Sequence, residues 1–479
     1  MCIMEFVMKI NSAVNNFVWG APVLALLVGT GCLLTVMLGF PQIRYFVPAM
    51  KEVFSFRKKG SSADKSISSF AAMATAMAAT VGTGNVAGVA TALHLAGPGA
   101  LVWMLISAFF GMCTKFAEVA LAVHFRQKDA HGDWRGGTMY ILEHGIGDRF
   151  GKFLAIIFAV FAFLASFGIG AATQANSAAE ALSMGWNINH LYSGIFMAVF
   201  VGLVIIGGLK SLATVTTLLV PFMAIFYIVG AFIVLIQNAA HIPGAIGNAI
   251  NLAFNNPETI PAGLAGWGVK EAIQRGIARG VFSNEAGMGS APMVHATANV
   301  DHPVQQGFYG IFEVFMDTIV ICTMTGLVIL TTGTLTGSPE LTGAQLTLQA
   351  FENALGSTGK YILSIGLLLF AFTTILGWYW YAETAVTYLF GVWVKPFMKV
   401  WWVILILFGA AGGQFLGAAG NDFLNNLWDI SDTLNGLMAL PNLVGLLLLT
   451  MTLKKLVKDY DKKIKAGGQM TPPDFFNEL

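Results

Sequence analysis

Two short polar segments, each set inside a long apolar stretch, hold the groups best placed to do chemistry. Thr80, Val81, Gly82, Thr83, Gly84 and Asn85 interrupt the Ala-rich stretch Ala71 to Leu95. Ser283, Asn284, Glu285, Ala286, Gly287, Met288, Gly289 and Ser290 interrupt Ala272 to Ala298. In the first segment Gly82 and Gly84 remove side chains, while Thr80, Thr83 and Asn85 bring hydroxyl and amide groups. A helix that restarts after such a break presents N–H donors to an anion such as a carboxylate. The half-helix before it ends in bare carbonyls, here including those of Ala78, Ala79 and Val81, which suit a small hard cation. A glycine-kinked helix packed on a neighbour is the plainer reading, and the repetition of the pattern in the second segment argues against it.

In the second segment Glu285 is ionisable at membrane depth, where such groups are functional by default. It could cap the following half-helix from its N-terminal end, pair with Arg275 or Arg279, or contact a cation directly. Thr373 and Thr374 are adjacent hydroxyls in an apolar run, with Trp378 one turn later; membrane threonines often bond back to the preceding turn. Gln174, after Gly168 and Gly170, could reach a cavity. Lys115 and Glu118, three apart on one helix, read as a pair bound to each other. For Glu313, Asp317 and Glu383, buried pairing is the safer reading and proton or ion linkage the other. Ser431 to Gly436 and Pro441-Asn442 disturb a further span, as plasticity or as a gate. The chemistry is coordination rather than bond-breaking: Ser283 lacks an adjacent His or Lys to serve as its base.

The elements that position these groups must be membrane helices. Of 479 residues, 56% are hydrophobic and only 11% charged, with mean hydropathy +0.71, whereas soluble domains carry about 25% charged residues. Stretches of about 20 apolar residues fall near 17–40, 68–95, 99–124, 152–183, 190–208, 212–237, 268–298, 304–333, 360–391, 398–418 and 421–453, about eleven spans. Arg44, Lys51, Arg57, Lys58, Lys59 and Lys65 share one loop, and Arg126, Lys128, Arg135, Arg149 and Lys152 another. Lys210, Lys395, Lys399 and the run from Lys454 to Lys465 follow on the same side, while 184–189, 238–265 and 334–359 contain no Lys or Arg. Positive residues stay inside, so the N-terminus is expected outside and the C-terminus in the cytoplasm, in a plasma (inner) membrane. A net charge of +1 orients the chain and gives no reason to expect nucleic acid. Cys2, Cys32, Cys113 and Cys322 lie far apart, and the eight histidines form no metal spacing, so no resident metal or cofactor is expected.

Residues 1–67 hold an N-terminal span and a cytoplasmic loop. The next ten spans divide into 68–237 and 268–453 (the second unit taken as 266–453 with its entry), each set of five opening with a broken helix. Because five is odd, the second set enters the membrane inverted. Residues 238–265, ending Pro257-Glu258-Thr259-Ile260-Pro261, read as a covering outer loop with short interfacial helices. The segment Gly136 to Glu143 reads as a tight turn and a surface helix. The charged tail 454–479 is expected to lie in the cytoplasm, with its last dozen residues disordered.

Three stretches carry a resemblance: Ala79-Thr80-Val81-Gly82-Thr83-Gly84-Asn85-Val86-Ala87-Gly88, Ala96-Gly97-Pro98-Gly99-Ala100-Leu101-Val102-Trp103-Met104, and Gly280-Val281-Phe282-Ser283-Asn284-Glu285-Ala286-Gly287-Met288-Gly289-Ser290-Ala291-Pro292. With Asp432 to Gly436 and Pro441-Asn442, they closely resemble the alanine or glycine:cation symporter family, over about Val14 to Leu453. Thr138 stands where that family usually has Pro, and Val86 where Ile is commoner. The resemblance implies an all-α LeuT-like fold: a five-plus-five inverted repeat with one extra N-terminal helix. It also implies sodium-driven uptake of small neutral amino acids such as alanine and glycine, with sodium as co-substrate and no cofactor; a proton-coupled carrier of the same fold is the alternative. By that pattern the substrate carboxylate meets the backbone of Gly82, Thr83 and Gly84 with help from Thr80, next to Asn85. Gln174 is a polar wall, the segment Phe282 to Met288, with Ser283 and Asn284, contacts the amine and side chain, and Trp378 limits volume. Sodium takes the carbonyls of Ala78, Val81 and Phe370 and the hydroxyls of Thr373 and Thr374. Membrane lipid is the remaining partner; the sequence is silent on oligomeric state.

Overall fold

The computed structural model describes residues 2–55, 66–129, 132–256, 267–467 and 471–473. Arg57, Lys58, Lys59 and Lys65 of the first basic loop, and the Pro257 to Pro261 stretch, lie outside them. In hydrocarbon every backbone N–H and C=O must be satisfied within the chain, which leaves helices as the way across for apolar runs of this length. Each expected span meets a helix or a broken helix. Among the described residues seven helices are long and apolar enough to cross a membrane, and up to nine if each bent pair is one span. His190–Ile206 is apolar but only 17 residues long, and Val269–Asn284 carries Lys270, Glu271, Arg275 and Arg279. The first span begins earlier than expected: Cys2–Val18 and Ala21–Met37 run together from Met4 to Met37. Large apolar side chains such as Val36, Ile206, Leu218 and Phe397 are two-thirds or more exposed, a surface that needs lipid against it.

Small residues bring the helices together. Cβ atoms added at Gly276 and Gly280 would lie 2.3 Å from the Ala100 carbonyl and 2.8 Å from Ser107 Oγ, so Val269–Asn284 sits backbone-close on Gly99–His124. One at Gly377 would lie 2.6 Å from the Ala79 amide nitrogen, so Ser357–Phe390 does the same to the first broken helix. Without a hydrophobic drive between helices in lipid, this close van der Waals approach is what holds them.

The two breaks differ more than their sequences suggest. Ser69–Thr80 ends, Val81 and Gly82 are extended, a single 3₁₀ turn covers Thr83–Asn85, and Ala87–Ala96 resumes at a bend of 57°. After Val269–Asn284 the chain turns through Glu285 to Ala291, and only one helical turn, Pro292–His295, follows. There it ends in a two-residue strand, Ala298–Asn299, paired in parallel with Ile67–Ser68 just before the first broken helix.

Two other expectations change, those for the Gly136 segment and for Pro441. The Gly136 segment is not a surface helix: Thr138, Met139, Ile141 and Leu142 are buried, and Thr138 Oγ1 donates to the Gly289 carbonyl at 2.8 Å. Pro441 does not open its span, because Ala418–Leu448 runs through it. The tail starts as the helix Thr450–Lys465, which buries Leu453, Leu456, Val457 and Tyr460. Tyr45 Oη donates to Asp461 Oδ1 at 2.5 Å, fixing that helix to the turn that follows the first span. Residues 242–254 form a helix packed under the Gly99 helix, where Trp103 Nε1 donates to the Ala253 carbonyl at 2.8 Å.

Candidate functional site

A small cavity lies between the two breaks. Thr80, Gly82 and Gly84 line it from the first, Phe282, Ser283 and Glu285 from the second, Gln174 and Ile169 from one side and Thr374 and Trp378 from another, with Asn435 and Ala79 completing it. It offers about 20 Å³ for the centres of water-sized spheres, room for one or two waters. The walls press inward: a Cβ on Gly82 would stand 2.5 Å from Thr374 Oγ1, and one on Gly170 2.6 Å from Trp378 Cβ.

The first break is held open by its own polar residues. The Gly82 N–H donates to Asn85 Oδ1 at 2.8 Å, which lets the extended Gly82 turn back into the 3₁₀ turn. Asn85 Nδ2 in turn donates to Asp317 Oδ1 at 2.6 Å, and Asp317 Oδ2 accepts from Ser283 Oγ at 3.0 Å. Asp317 thus joins one break to the other, and Asn85 stands behind the cavity rather than in its wall. Thr83 Oγ1 donates to Gln174 Oε1 at 3.0 Å, while Gln174 Nε2 donates to the Ile169 carbonyl at 2.9 Å. Thr80 bonds back to Ala76 and Met77. First-turn amides of a helix have no partner within it, and the turn opening at Thr83 leaves such donors beside the cavity.

The second break is held from behind. Lys115 and Glu118 are fully buried, and they bind the break instead of each other. Lys115 Nζ donates to the Asn284 carbonyl at 3.0 Å, a cation on a helix C-terminus. Glu118 Oε1 accepts from the Gly287 and Gly289 amides at 3.1 and 3.0 Å and from Asn442 Nδ2 at 2.6 Å. Both glycines have positive φ, +91° and +80°, where a side chain is strained. Asn442 also donates to the Gly287 carbonyl, so the expected gate is a clamp. Glu285 is left-handed at φ 55°, capping the preceding helix rather than the following one. Its Oε2 accepts from Ser290 Oγ, and among the described residues it makes no ion pair with Arg275 or Arg279, the latter lying over the Phe282 ring. Asn284 donates to Thr318 Oγ1, and Met288 is buried in the core beside Leu27, so neither lines the cavity. The other carboxylates are paired: Glu313 with His295 at 2.5 Å and Glu383 with Tyr379 at 2.6 Å.

Thr373 and Thr374 part ways. Thr373 Oγ1 donates toward the Leu369 and Phe370 carbonyls at 3.0 and 3.1 Å. Thr374 Oγ1 is buried without a partner. Asn435 Oδ1 is equally buried and unpartnered. Ala78, Val81 and Phe370 are fully buried beside these residues but outside the cavity wall. Asn435 escaped the reading of the sequence as a binding residue because it lay in a span whose polar groups looked like plasticity or a gate, and nothing local set it apart from Ser431 and Asp432 beside it.

The sequence profile of the sodium:alanine symporter family matches residues 4–474. The chain belongs to that family. The chain is 45% identical over 452 residues to the sodium/alanine symporter AgcS of Methanococcus maripaludis, covering 93% of this chain and 95% of that one. It is 35% identical to a probable sodium/glutamine symporter, GlnT, of Bacillus subtilis, covering 97% and 92%. Among solved structures a sodium-coupled sialic acid symporter aligns with TM-score 0.53 at 10% identity, covering 96% of this chain and 95% of that one, a likeness of fold. This family member is therefore a multi-pass membrane transporter with a LeuT-like helical core, not an enzyme.

Proposed function

We propose that this family member carries small neutral amino acids into the cell together with sodium. The observation that carries the reading is the pair of unpartnered oxygens, Asn435 Oδ1 and Thr374 Oγ1, buried at a small cavity between two broken helices. A buried polar atom without a partner costs about 1–3 kcal/mol, a cost that an incoming ammonium or cation removes. The substrate carboxylate is taken at the backbone of Gly82, Thr83 and Gly84 with Thr80, against Gln174, with the Thr83 and Gly84 amides as donors because the Gly82 N–H is held by Asn85 Oδ1. Its ammonium goes to Asn435 Oδ1 and the break after Phe282, and Phe282 and Trp378 bound its side chain. Sodium takes the carbonyls of Ala78, Val81 and Phe370 with Thr374 and Thr373; a hydroxyl that donates to a carbonyl still offers lone pairs. Each ligand favours the same arrangement of the two breaks, which Asp317 ties together, and that shared preference is the coupling.

Sodium is a co-substrate here, and no cofactor is needed. The bias of the basic loops supports a cytoplasmic C-terminus and an N-terminus outside, in the inner membrane. The test is uptake of labelled alanine into proteoliposomes under an inward sodium gradient against potassium, at fixed membrane potential. Accumulation with sodium alone supports the reading, and equal uptake in both salts overturns it. Glu285 in the cavity wall favours one second reading, proton coupling, which requires uptake driven by a pH gradient without sodium and abolished in Glu285→Gln.

A further inference from the structure

A basic cavity opens at the end of the molecule that carries the Lys- and Arg-rich loops, offering about 320 Å³ for the centres of water-sized spheres. Arg135, Lys210, Lys395 and Lys399 line it, against the carboxylates of Asp133 and Glu383. The Arg135 side chain is 9% exposed; its Nε donates to Asp129 Oδ2 at 3.0 Å, and its Nη1 is buried with no acceptor. Its guanidinium stands 5.5 Å from the Trp380 ring centre. Lys395 lies 3.4 Å from Glu383, and Lys399 Nζ donates to the Ile206 carbonyl at 3.1 Å. A dry guanidinium N–H without a partner awaits an acceptor from outside the chain.

A second space adjoins it. Between His190–Ile206 and Lys395–Leu416 an apolar groove of about 350 Å³, on the same measure, is lined by Gly202, Leu203, Ile206, Val403 and Leu407. Leu203 and Ile206 are 63% and 68% exposed, so the groove faces the bilayer. The two spaces meet at Ile206, whose side chain lines the groove while its carbonyl holds Lys399, one turn before Val403. Room persists at Gly202, where an added Cβ would find its nearest neighbour, Val403 Cγ2, at 3.6 Å.

We propose that cavity and groove together bind one anionic phospholipid, its phosphate among Arg135, Lys210, Lys395 and Lys399 and an acyl chain along the groove. Basic pockets between helices on the cytoplasmic side are suited to anionic headgroups. The continuous lipid-facing groove selects a phospholipid over a free phosphate, and the excess of cations selects an anionic headgroup over a choline one. The site lies apart from the cavity between the breaks and shares none of its residues.

The experiment is native mass spectrometry of the detergent-purified protein titrated with phosphatidylglycerol or with phosphatidylcholine of the same acyl chains, without sodium or alanine. Phosphatidylglycerol is retained preferentially. The double variant Lys210→Gln, Lys399→Gln loses that preference by about 25-fold, since each cation near an anionic lipid surface is worth about fivefold. Gly202→Phe fills the groove and lowers retention with every cation in place, and soluble glycerol phosphate does not displace the lipid. Equal retention of the two lipids, or an undiminished preference in the double variant, overturns the proposal. Displacement by glycerol phosphate with no effect of Gly202→Phe also overturns it, assigning the cavity to a free phosphate. Thermal midpoints in phosphatidylcholine micelles establish that the variants are folded; should the double variant fail, the exposed Lys210→Gln alone carries the test, with about a fivefold loss expected.

Discussion

Replacing Thr374 by Val keeps the side-chain shape and deletes one oxygen. In the structure that oxygen has no partner and lies where a Cβ on Gly82 would meet it at 2.5 Å. Without ligand, then, Thr374→Val removes a desolvated group and should leave thermal stability unchanged or raise it, by about 1 kcal/mol. With sodium the sign reverses. A hydrogen-bond-like contact to a charged group is worth about 1.5–3 kcal/mol, so half-saturation for sodium should rise by about 10- to 100-fold. Thr373→Val supplies the contrast, because its hydroxyl already donates to the Leu369 carbonyl at 3.0 Å. Losing that bond should cost about 0.5–1.5 kcal/mol in the ligand-free protein as well. The assays are thermal unfolding in detergent with and without sodium, and alanine uptake across a sodium series. A ligand-free Thr374→Val protein that is markedly less stable, with sodium half-saturation unmoved, would refute the reasoning.

Three further outcomes follow from the geometry. Glu118→Ala leaves the Gly287 and Gly289 amides without their acceptor and takes one of two from Asn442 Nδ2, and the thermal midpoint should fall by the equivalent of about 3 kcal/mol or more; an unchanged midpoint would show that the second break does not depend on it. Gly170→Ala drives a Cβ to 2.6 Å from Trp378, so uptake should drop sharply with about 1–3 kcal/mol of overpacking strain, read from initial rates and thermal midpoints. Outside the membrane, burial alone would push the Glu143 carboxyl up, but hydrogen bonds from Lys152 and Tyr388 outweigh it and hold it below the usual range. A depressed folded value means stability is present above the unfolded value, near pH ~4.3, and is lost as pH falls through the folded one. Tyr388→Phe should therefore lower thermal stability at neutral pH and make its loss on acidification smaller; identical acid limbs would count against this.

Both breaks were legible in the sequence because glycines and small polar residues have few reasons to gather inside an apolar run. What stands behind them was not. Lys115 and Glu118 have the spacing of a helix-surface pair, and nothing local says that each faces a different end of the same distant turn. Thr138 and Asn442 reach that turn from segments far apart in sequence, a matter of tertiary packing. The docked tail was hidden by its lysines, although Leu453, Leu456, Val457 and Tyr460 recur at helical spacing and form its buried face. The unequal length of the two half-helices was invisible because Ala291 to Ala298 reads as apolar as Ala87 to Ala96.

The parallel pairing of Ile67–Ser68 with Ala298–Asn299 ties the two broken segments to each other at their basic-loop ends. Its bonds are between main-chain atoms, so side-chain exchange leaves them intact, and only proline, which has no N–H to give, removes one. Each net bond is worth about 0.5–1.5 kcal/mol, enough to set how long that end stays shut without locking it. Amide hydrogen exchange at these four residues would therefore act as a clock for opening at that end of the molecule, running faster whenever the pairing is released.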